Sequence, residues 1–452
     1  MTRNAIELTS YQSGSMSIYN LPLAGLEIGF ATSLIVSLLL VLTTRWHGRY
    51  SLDATRGVQK FHITPTPRIG GAAIMTGLWL ALGVLPQAQR DLLLPVLIAS
   101  LPAFVFGLAE DLTRTVSVRT RLLATIGSGV VCWFLTGVTL QHTGLPLLDG
   151  MLGWLPFSVL FTAFAVGGVA NAVNIIDGFN GLASGTVVIG MGTLGLIAMG
   201  AGDVHLAQLC FVICAVTAGF FVVNFPLGKL FLGDGGAYLL GFLLAWLSVM
   251  LVYRNPSVSA WAPLLACAYP VFETVFTIMR RLWCRRHPGH PDSWHLHSLV
   301  KTAITARYLR MLPPPLRNAF VSPVSWGIAL VPAALAVNYA GDPAVLVQGA
   351  LASFALYLGV YALVVSAWRA RRRHGHAPVV MPALMPVAAA PLAPKVATVA
   401  VKPLITTSSN GQGATSGLVT ARIAANPSSN QPGSLADHSH KQAAPVLARR
   451  RM

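Results

Sequence analysis

Repeated apolar stretches close to the length of a bilayer crossing constrain this chain more than any other feature. They run approximately over residues 21–42, 69–85, 92–109, 122–140, 151–172, 183–199, 206–225, 236–253, 260–279, 320–339 and 344–368. A helix needs about 20 predominantly apolar residues to cross the hydrocarbon core. With 54% hydrophobic and 10% charged residues, and a mean hydropathy of +0.65, the chain cannot cover that much apolar surface with polar groups in water. The pattern predicts an all-α polytopic membrane protein of about eleven transmembrane helices.

Basic residues orient it. The loops assigned to the inner side carry Arg45, Arg49, Arg56, Lys60 and Arg68, then Arg114, Arg119 and Arg121, then Lys229, then Arg280, Arg281, Arg285, Arg286, Lys301, Arg307, Arg310 and Arg317. Loops of the opposite parity hold only Arg90 and Arg254. Because Lys and Arg accumulate on the cytoplasmic side, the N-terminus is expected outside and the C-terminus in the cytoplasm. The net charge of +17 is then topology and attraction to anionic lipid, with no call for nucleic acid. Residues 1–20 lack a signal-peptide pattern and form a short leading segment; 21–370 form the multi-span body. Residues 375–452, rich in Ala, Pro and Ser, are expected to be a disordered cytoplasmic tail. The five cysteines have no metal-ligand spacing and read as packing residues.

Only fourteen acidic residues are present, so each placement carries weight. Glu110 and Asp111 end the third span, Asp177 follows the fifth, and Asp234 lies between the seventh and eighth, all on the predicted inner side. Carboxylates gathered in one place repel and need a cation or bound ligand. Magnesium suits such a site, taking one or two carboxylates and leaving positions for substrate phosphates. In NAVNIIDGFNGLASG (171–185), Asn171, Asn174, Asp177 and Asn180 recur every third residue, and the first three form a stripe that should face the bundle interior. Gly178 and Gly181 then break the helix, which is tolerated where backbone lines a cavity. In FLGDGGAYLLGF (231–242) glycines flank Asp234 in the same way, and the following helix would point its positive end at phosphate. The inner loop RRLWCRRHPGHPDSWHLHSL holds His287, His290, His295 and His297 among arginines. It reads as an anion-binding element or as a solvated basic loop, and no ligand spacing completes a zinc site. Glu273, within the ninth span, requires a hydrogen-bond partner.

Six motifs in order, HITPTPRIGG (62–71), FGLAEDLTRTVSVRTRLL (106–123), NAVNIIDGFNGLASG, FLGDGGAYLLGF, YPVFETVFTIMRR (269–281) and HPDSWHLHSL (290–299), carry a resemblance. The chain resembles the bacterial polyprenyl-phosphate N-acetylhexosamine-1-phosphate transferases that start common-antigen, O-antigen and teichoic acid linkage units. The resemblance implies attack by undecaprenyl phosphate on a UDP-N-acetylhexosamine at the cytoplasmic face of the inner membrane, with Mg2+ required and UMP released. It makes the product the first lipid-linked intermediate of a cell-envelope glycan such as lipopolysaccharide. By resemblance, Asp234 and Asp177 bind the metal, and Asp111, Glu110 and Asp177 are catalytic. Asn174, Asn180, Arg281, His290, His295, His297 and Lys60 contact substrate. A homodimer is compatible with this reading. Three positions depart from the family pattern: Glu110 stands where aspartate is usual, Asn180 where aspartate is frequent, and Ser298 where a further histidine is usual. A multi-span transporter of a lipid-linked or anionic substrate is the competing class; it should show internal repeats and midplane polar groups, whereas here the acids gather at one face.

Overall fold

The computed structural model describes residues 22–53, 65–285, 294–305, 308–309 and 311–373, all within the unit Met1–Leu384. The leading segment, Lys60, His290 and the Ala/Pro/Ser-rich tail lie outside the described residues. Among the described residues the regular structure is helical, apart from one isolated antiparallel bridge between Leu52 and Pro67.

The first helices in chain order are α1 (Leu23–Leu42), α2 (Thr44–Ser51), α3 (Gly70–Val84), α4 (Gln87–Thr113) and α5 (Val118–Thr136). There follow α6 (Pro146–Leu152), α7 (Leu155–Ile176), α8 (Leu182–Gly200), α9 (Val204–Asn224) and α10 (Gly233–Arg254). The carboxyl-terminal part holds α11 (Trp261–Ala266), α12 (Ala268–Trp283), α13 (Leu296–Val300), α14 (Pro314–Ala319), α15 (Val321–Asn338) and α16 (Pro343–Arg373). Among the described residues, nine helical stretches are long and apolar enough to cross a membrane, so the chain is a multi-pass membrane protein. Each of the eleven apolar segments is helical at its core, but two fall short of a crossing. Helix α3 has 15 residues. The expected span 260–279 is corrected to the short pair α11 and α12, interrupted at Cys267. Pro270 is the cause: it has no N–H for the Ala266 carbonyl four residues back, and its ring crowds that carbonyl. The span expected to begin at Met151 instead starts at Leu155, after the separate turn of α6.

Helix α10 is the core of the bundle. It is apolar on nearly every face, the mark of a helix surrounded by protein, and it packs on α3, α4, α7 and α8. Backbones approach closely there because glycines replace side chains. A Cβ on Gly107 of α4 would lie 2.7 Å from the Gly235 Cα, and one on Gly241 would lie 2.7 Å from the Ala170 Cα of α7. Helix α4 tolerates Pro95 and Pro102 in its interior. The N–H of Ala103, next to Pro102, donates to Ser128 Oγ of α5 at 3.0 Å.

At the far end of α10, Arg254 clamps the start of α9. Its Nε and Nη2 donate to the two oxygens of Asp203 at 2.6 and 2.9 Å, and Asp203 also accepts from the Leu206 N–H at 3.2 Å as an N-cap. Burial pulls the Asp203 carboxyl up, but Arg254 and the Leu206 amide hold it below its ordinary value. A depressed acid stabilises the fold above its unfolded pKa and loses that contribution as pH falls through its folded pKa. Asp203→Asn should therefore lower the thermal midpoint in detergent at pH 7, with the gap to the parent protein closing as pH drops below about 4. A gap that stayed constant down to pH 3 would remove the ion pair as its cause.

Candidate active site

The site forms where two chain segments zip together. Phe231 N–H donates to the Pro67 carbonyl at 2.8 Å, and Gly70 and Gly71 N–H donate to the Phe231 and Leu232 carbonyls at 2.9 Å each. This ties the PRIGG motif to the FLGD motif before α3 and α10 begin. Both glycines are needed for the approach: a Cβ on Gly71 would sit 2.3 Å from the Gly236 N, and one on Gly70 2.2 Å from the Phe220 ring. The junction places Arg68 directly over the start of α10.

Asp111, from the last turn of α4, reaches the same point and is 1% exposed. Its Oδ1 accepts from the Asp234 N–H and its Oδ2 from the Gly235 N–H, at 2.9 Å each. It is an N-terminal cap for α10 delivered by another helix, set against the positive end of that helix. The expectation that the α10 N-terminus presents its N–H groups to phosphate is thereby corrected: two of those donors already hold a carboxylate, because α4 and α10 pack glycine to glycine. Arg68 Nε and Nη2 both lie 2.9 Å from Asp111 Oδ1. Nη2 also donates to Asp234 Oδ1 at 3.2 Å, and Nη1 lies 3.6 Å from Asp53. Asp234 accepts from Asn174 Nδ2 at 3.2 Å on Oδ1 and from Arg121 of α5 on Oδ2. Tyr238, one turn further along α10, donates to Asn174 Oδ1 at 3.3 Å.

Asp177 caps the C-terminus of α7, beside this cluster. Although part of its side chain remains accessible, the surrounding protein desolvates the carboxyl and pushes it up to about 7, against the pull of Arg68 and a bond from the Gly233 N–H. Glu110 sits at the rim, its Oε2 accepting from the Val116 N–H at 2.9 Å, which closes the loop after α4.

Asp111, Asp177, Asp234 and Asn174 thus converge. Other candidates take different partners. Asn171 donates to Thr125 Oγ1 at 2.9 Å and ties α7 to α5. Asn180 is buried and donates to the carbonyls of Pro226 at 2.9 Å and Pro315 at 3.4 Å, joining the α7–α8 turn to the 225–228 loop and α14. His295 and His297 are buried below that turn, with His295 Nδ1 3.0 Å from Glu273 Oε1. Arg281 lies in the last turn of α12, close in sequence to the stretch outside the described residues. Arg68, Arg121, Asp53 and Tyr238 are members that sequence reading assigned no role. For the two arginines the available signal was their position inside the motif stretches PRIGG and VRTRLL, but an inner-loop arginine is equally well explained by topology.

Among the described residues no three His, Cys, Asp or Glu side chains form a ready-made cation cage. The donor set nonetheless fits magnesium. Asp234 and Asp177 would supply the one or two carboxylates that this ion takes from protein when substrate phosphates complete its shell. Asp111 is the least suited to be a ligand: both of its oxygens are held by backbone N–H groups that cannot turn away, whereas the partners of Asp234 are side chains that can.

The family model described as glycosyl transferase family 4 matches residues 93–252. A curated relative from Salmonella typhi, named undecaprenyl-phosphate alpha-N-acetylglucosaminyl 1-phosphate transferase, is 30% identical over 250 residues, covering 54% of this chain and 68% of that protein. The chain belongs to glycosyl transferase family 4. A Bacillus subtilis (strain 168) family member named a probable undecaprenyl-phosphate N-acetylglucosaminyl 1-phosphate transferase is 31% identical over 245 residues, or 53% of this chain and 66% of that protein. The Yersinia pestis protein with the same name as the Salmonella one is 27% identical over 250 residues, with 54% and 68% covered. The chain thus spans about two thirds of the length of these relatives. The family 4 match includes Glu110, Asp111, Arg121, Asn174, Asp177 and Asp234, and stops short of Glu273 and the histidine segment.

Proposed function

We propose that this family 4 protein transfers an N-acetylhexosamine 1-phosphate from a UDP-sugar to undecaprenyl phosphate, releasing UMP and starting a lipid-linked cell-envelope glycan. The observation that carries the reading is the bonding of Asp234 to Arg68, Arg121 and Asn174 at one end of a membrane helix bundle. Two guanidinium groups and adjacent carboxylates at such an end suit a diphosphate whose lipid acceptor lies in the bilayer. The names of the curated relatives point to the same acceptor.

In the reaction, an oxygen of the lipid phosphate forms a bond to the β-phosphorus of the sugar nucleotide. The bond from that phosphorus to the bridging oxygen breaks, and UMP leaves with that oxygen. Phosphoryl transfer asks for positioning and charge neutralisation more than for covalent chemistry. Arg68 and Arg121, already paired with Asp234, can turn their remaining N–H groups to the diphosphate. Asp111 holds the start of α10, and with it Asp234, in place. Glu110, at the rim, can take the remaining proton of the acceptor phosphate, and Asp177 contacts the nucleotide or the metal. Mg2+, held by Asp234 and Asp177, would neutralise diphosphate charge when bound. Because UDP-sugars are cytoplasmic, the site is assigned to the cytoplasmic face of the inner membrane.

Purified protein in detergent with undecaprenyl phosphate and a panel of UDP-N-acetylhexosamines should release UMP, and chelation with EDTA should stop the release until magnesium is restored. Absence of UMP with every donor would overturn the proposal.

A further inference from the structure

Outside the acid–arginine cluster, the most highly bonded buried group among the described residues is Glu273. It sits on α12 with no exposed surface and accepts from three groups on two other segments. His295 Nδ1 lies 3.0 Å from Oε1, the Leu296 N–H 3.1 Å from Oε1, and Tyr357 Oη of α16 3.0 Å from Oε2. A carboxylate can only accept here, so His295 carries its proton on Nδ1. That fixes both the tautomer and the ring plane of His295. The ring of His297 lies parallel to it, with centroids 5.2 Å apart and planes within 2°. His297 in turn meets Phe179 edge-on at 5.7 Å. Its Nε2 is directly against Gly178, 3.7 Å from where a Cβ on that residue would stand. Gly178 and Phe179 follow Asp177 in the turn between α7 and α8. An unbroken chain of contacts therefore runs from α16 through Glu273, His295 and His297 to the turn that presents Asp177.

We propose that Glu273 is a positioning residue for the transfer site: through His295 and His297 it sets the conformation of the Asp177–Phe179 turn. Helix α16 then has a second task besides crossing the membrane. Tyr357 bonds Glu273, and one turn on, Tyr361 Oη donates to the Trp294 carbonyl at 3.2 Å. Trp368 packs edge-on against Trp294 at 5.3 Å. One face of the last helix thus buttresses Glu273 and the start of the segment that carries the histidines. The competing reading is that Glu273 only joins α12 to α16 and has no effect on the site.

Glu273→Gln separates the two. Glutamine keeps the volume and can bond either histidine tautomer, so the fixed orientation of His295 is lost while packing is kept. The inference relies on the proposed transfer reaction only for its kinetic arm. There, Glu273→Gln should lower kcat/KM by about 10- to 100-fold, the range seen when a group that orients a functional histidine is removed. In a His297→Ala background the same change should cost less than about twofold, because residues acting through one another are not additive. Equal losses in both backgrounds would overturn the proposal. The second arm needs no turnover: hydrogen exchange of the full-length protein in detergent, followed in a peptide covering 177–181. Exchange there should rise in Glu273→Gln and, to a smaller degree, in Tyr357→Phe, which removes one donor and keeps the ring. If 177–181 keeps its protection while α12 and α16 loosen, or if nothing changes, Glu273 is a structural tie and the proposal fails. A parent protein that released no UMP would sink the proposed function, and the exchange result would still decide the role of Glu273.

Discussion

Asp234→Asn should abolish turnover while leaving the bundle folded. The substitution keeps the shape of the side chain and one oxygen acceptor, but it removes the negative charge to which Arg68, Arg121 and Asn174 all converge. The backbone bonds from Asp234 and Gly235 to Asp111 do not involve the lost oxygen, so α10 should begin at the same residue. The change therefore acts on charge and ligand capacity with little effect on architecture. Removing a single preorganised polar group from an electrostatically organised site lowers kcat by about 10²- to 10³-fold. Losing the carboxylate proposed to ligate the metal should exceed that, bringing UMP release to the detection limit. The check is UMP release measured beside the thermal midpoint: activity lost and midpoint held within a few degrees is the expected pair. Turnover close to that of the parent would show that Asp234 is neither ligand nor orienting group.

Gly233→Ala should fail through the backbone. Gly233 has φ of +75°, in the left-handed region, which costs an ordinary residue about 1–2 kcal/mol. Space is a harder limit: a Cβ there would stand 2.1 Å from the Arg68 carbonyl and 2.6 Å from Asp111 Oδ2. Neither neighbour can yield easily. The Arg68 backbone is fixed by the pairing of 67–71 with 231–232, and the Asp111 carboxylate is fixed by its two amide bonds. The start of α10 must shift, taking Asp234 with it, and a misplacement of about 1 Å can cost about 10²-fold in rate. We expect at least that loss together with a lower thermal midpoint. An alanine variant with parental rate and stability would show that the junction can relax, and that the close approach is not what sets the geometry of Asp234.

The helical, membrane-spanning character of the chain was legible because apolar runs of bilayer length have few alternatives. The gathering of Asp111, Asp177 and Asp234 was legible because their motifs recur at ends of spans on one predicted side. Arg68 and Arg121 were not distinguishable from residues that orient the protein, since charge at a loop looks the same whether it faces lipid headgroups or a carboxylate. The three-residue spacing of Asn171, Asn174 and Asp177 suggested one shared stripe, yet it divides. Asn174 and Asp177 lie at the cluster, Asn171 binds α5, and Asn180 bonds carbonyls of two distant segments. A helix period specifies which direction a side chain leaves its own helix but not which neighbour it meets. The break within 260–279 was encoded in Pro270 and obscured by the apolar run around it.

Sequence alone determined what the chain is made to do in bulk: cross a membrane many times, break helices at glycine and proline, and keep most of its few acids outside the middle of spans. Those outcomes follow from local chemistry, namely the transfer of apolar side chains out of water and the dihedral limits of individual residues. Tertiary structure alone decided the division of labour among the polar groups. Asp111 became the cap of another helix, Arg68 the bridge between Asp111 and Asp234, and Glu273 the anchor of His295, because each assignment depends on contacts between segments far apart in the chain. Hydrogen bonds and ion pairs act over a few ångströms, so their partners exist only once α3, α4, α7, α10, α12 and α16 have packed.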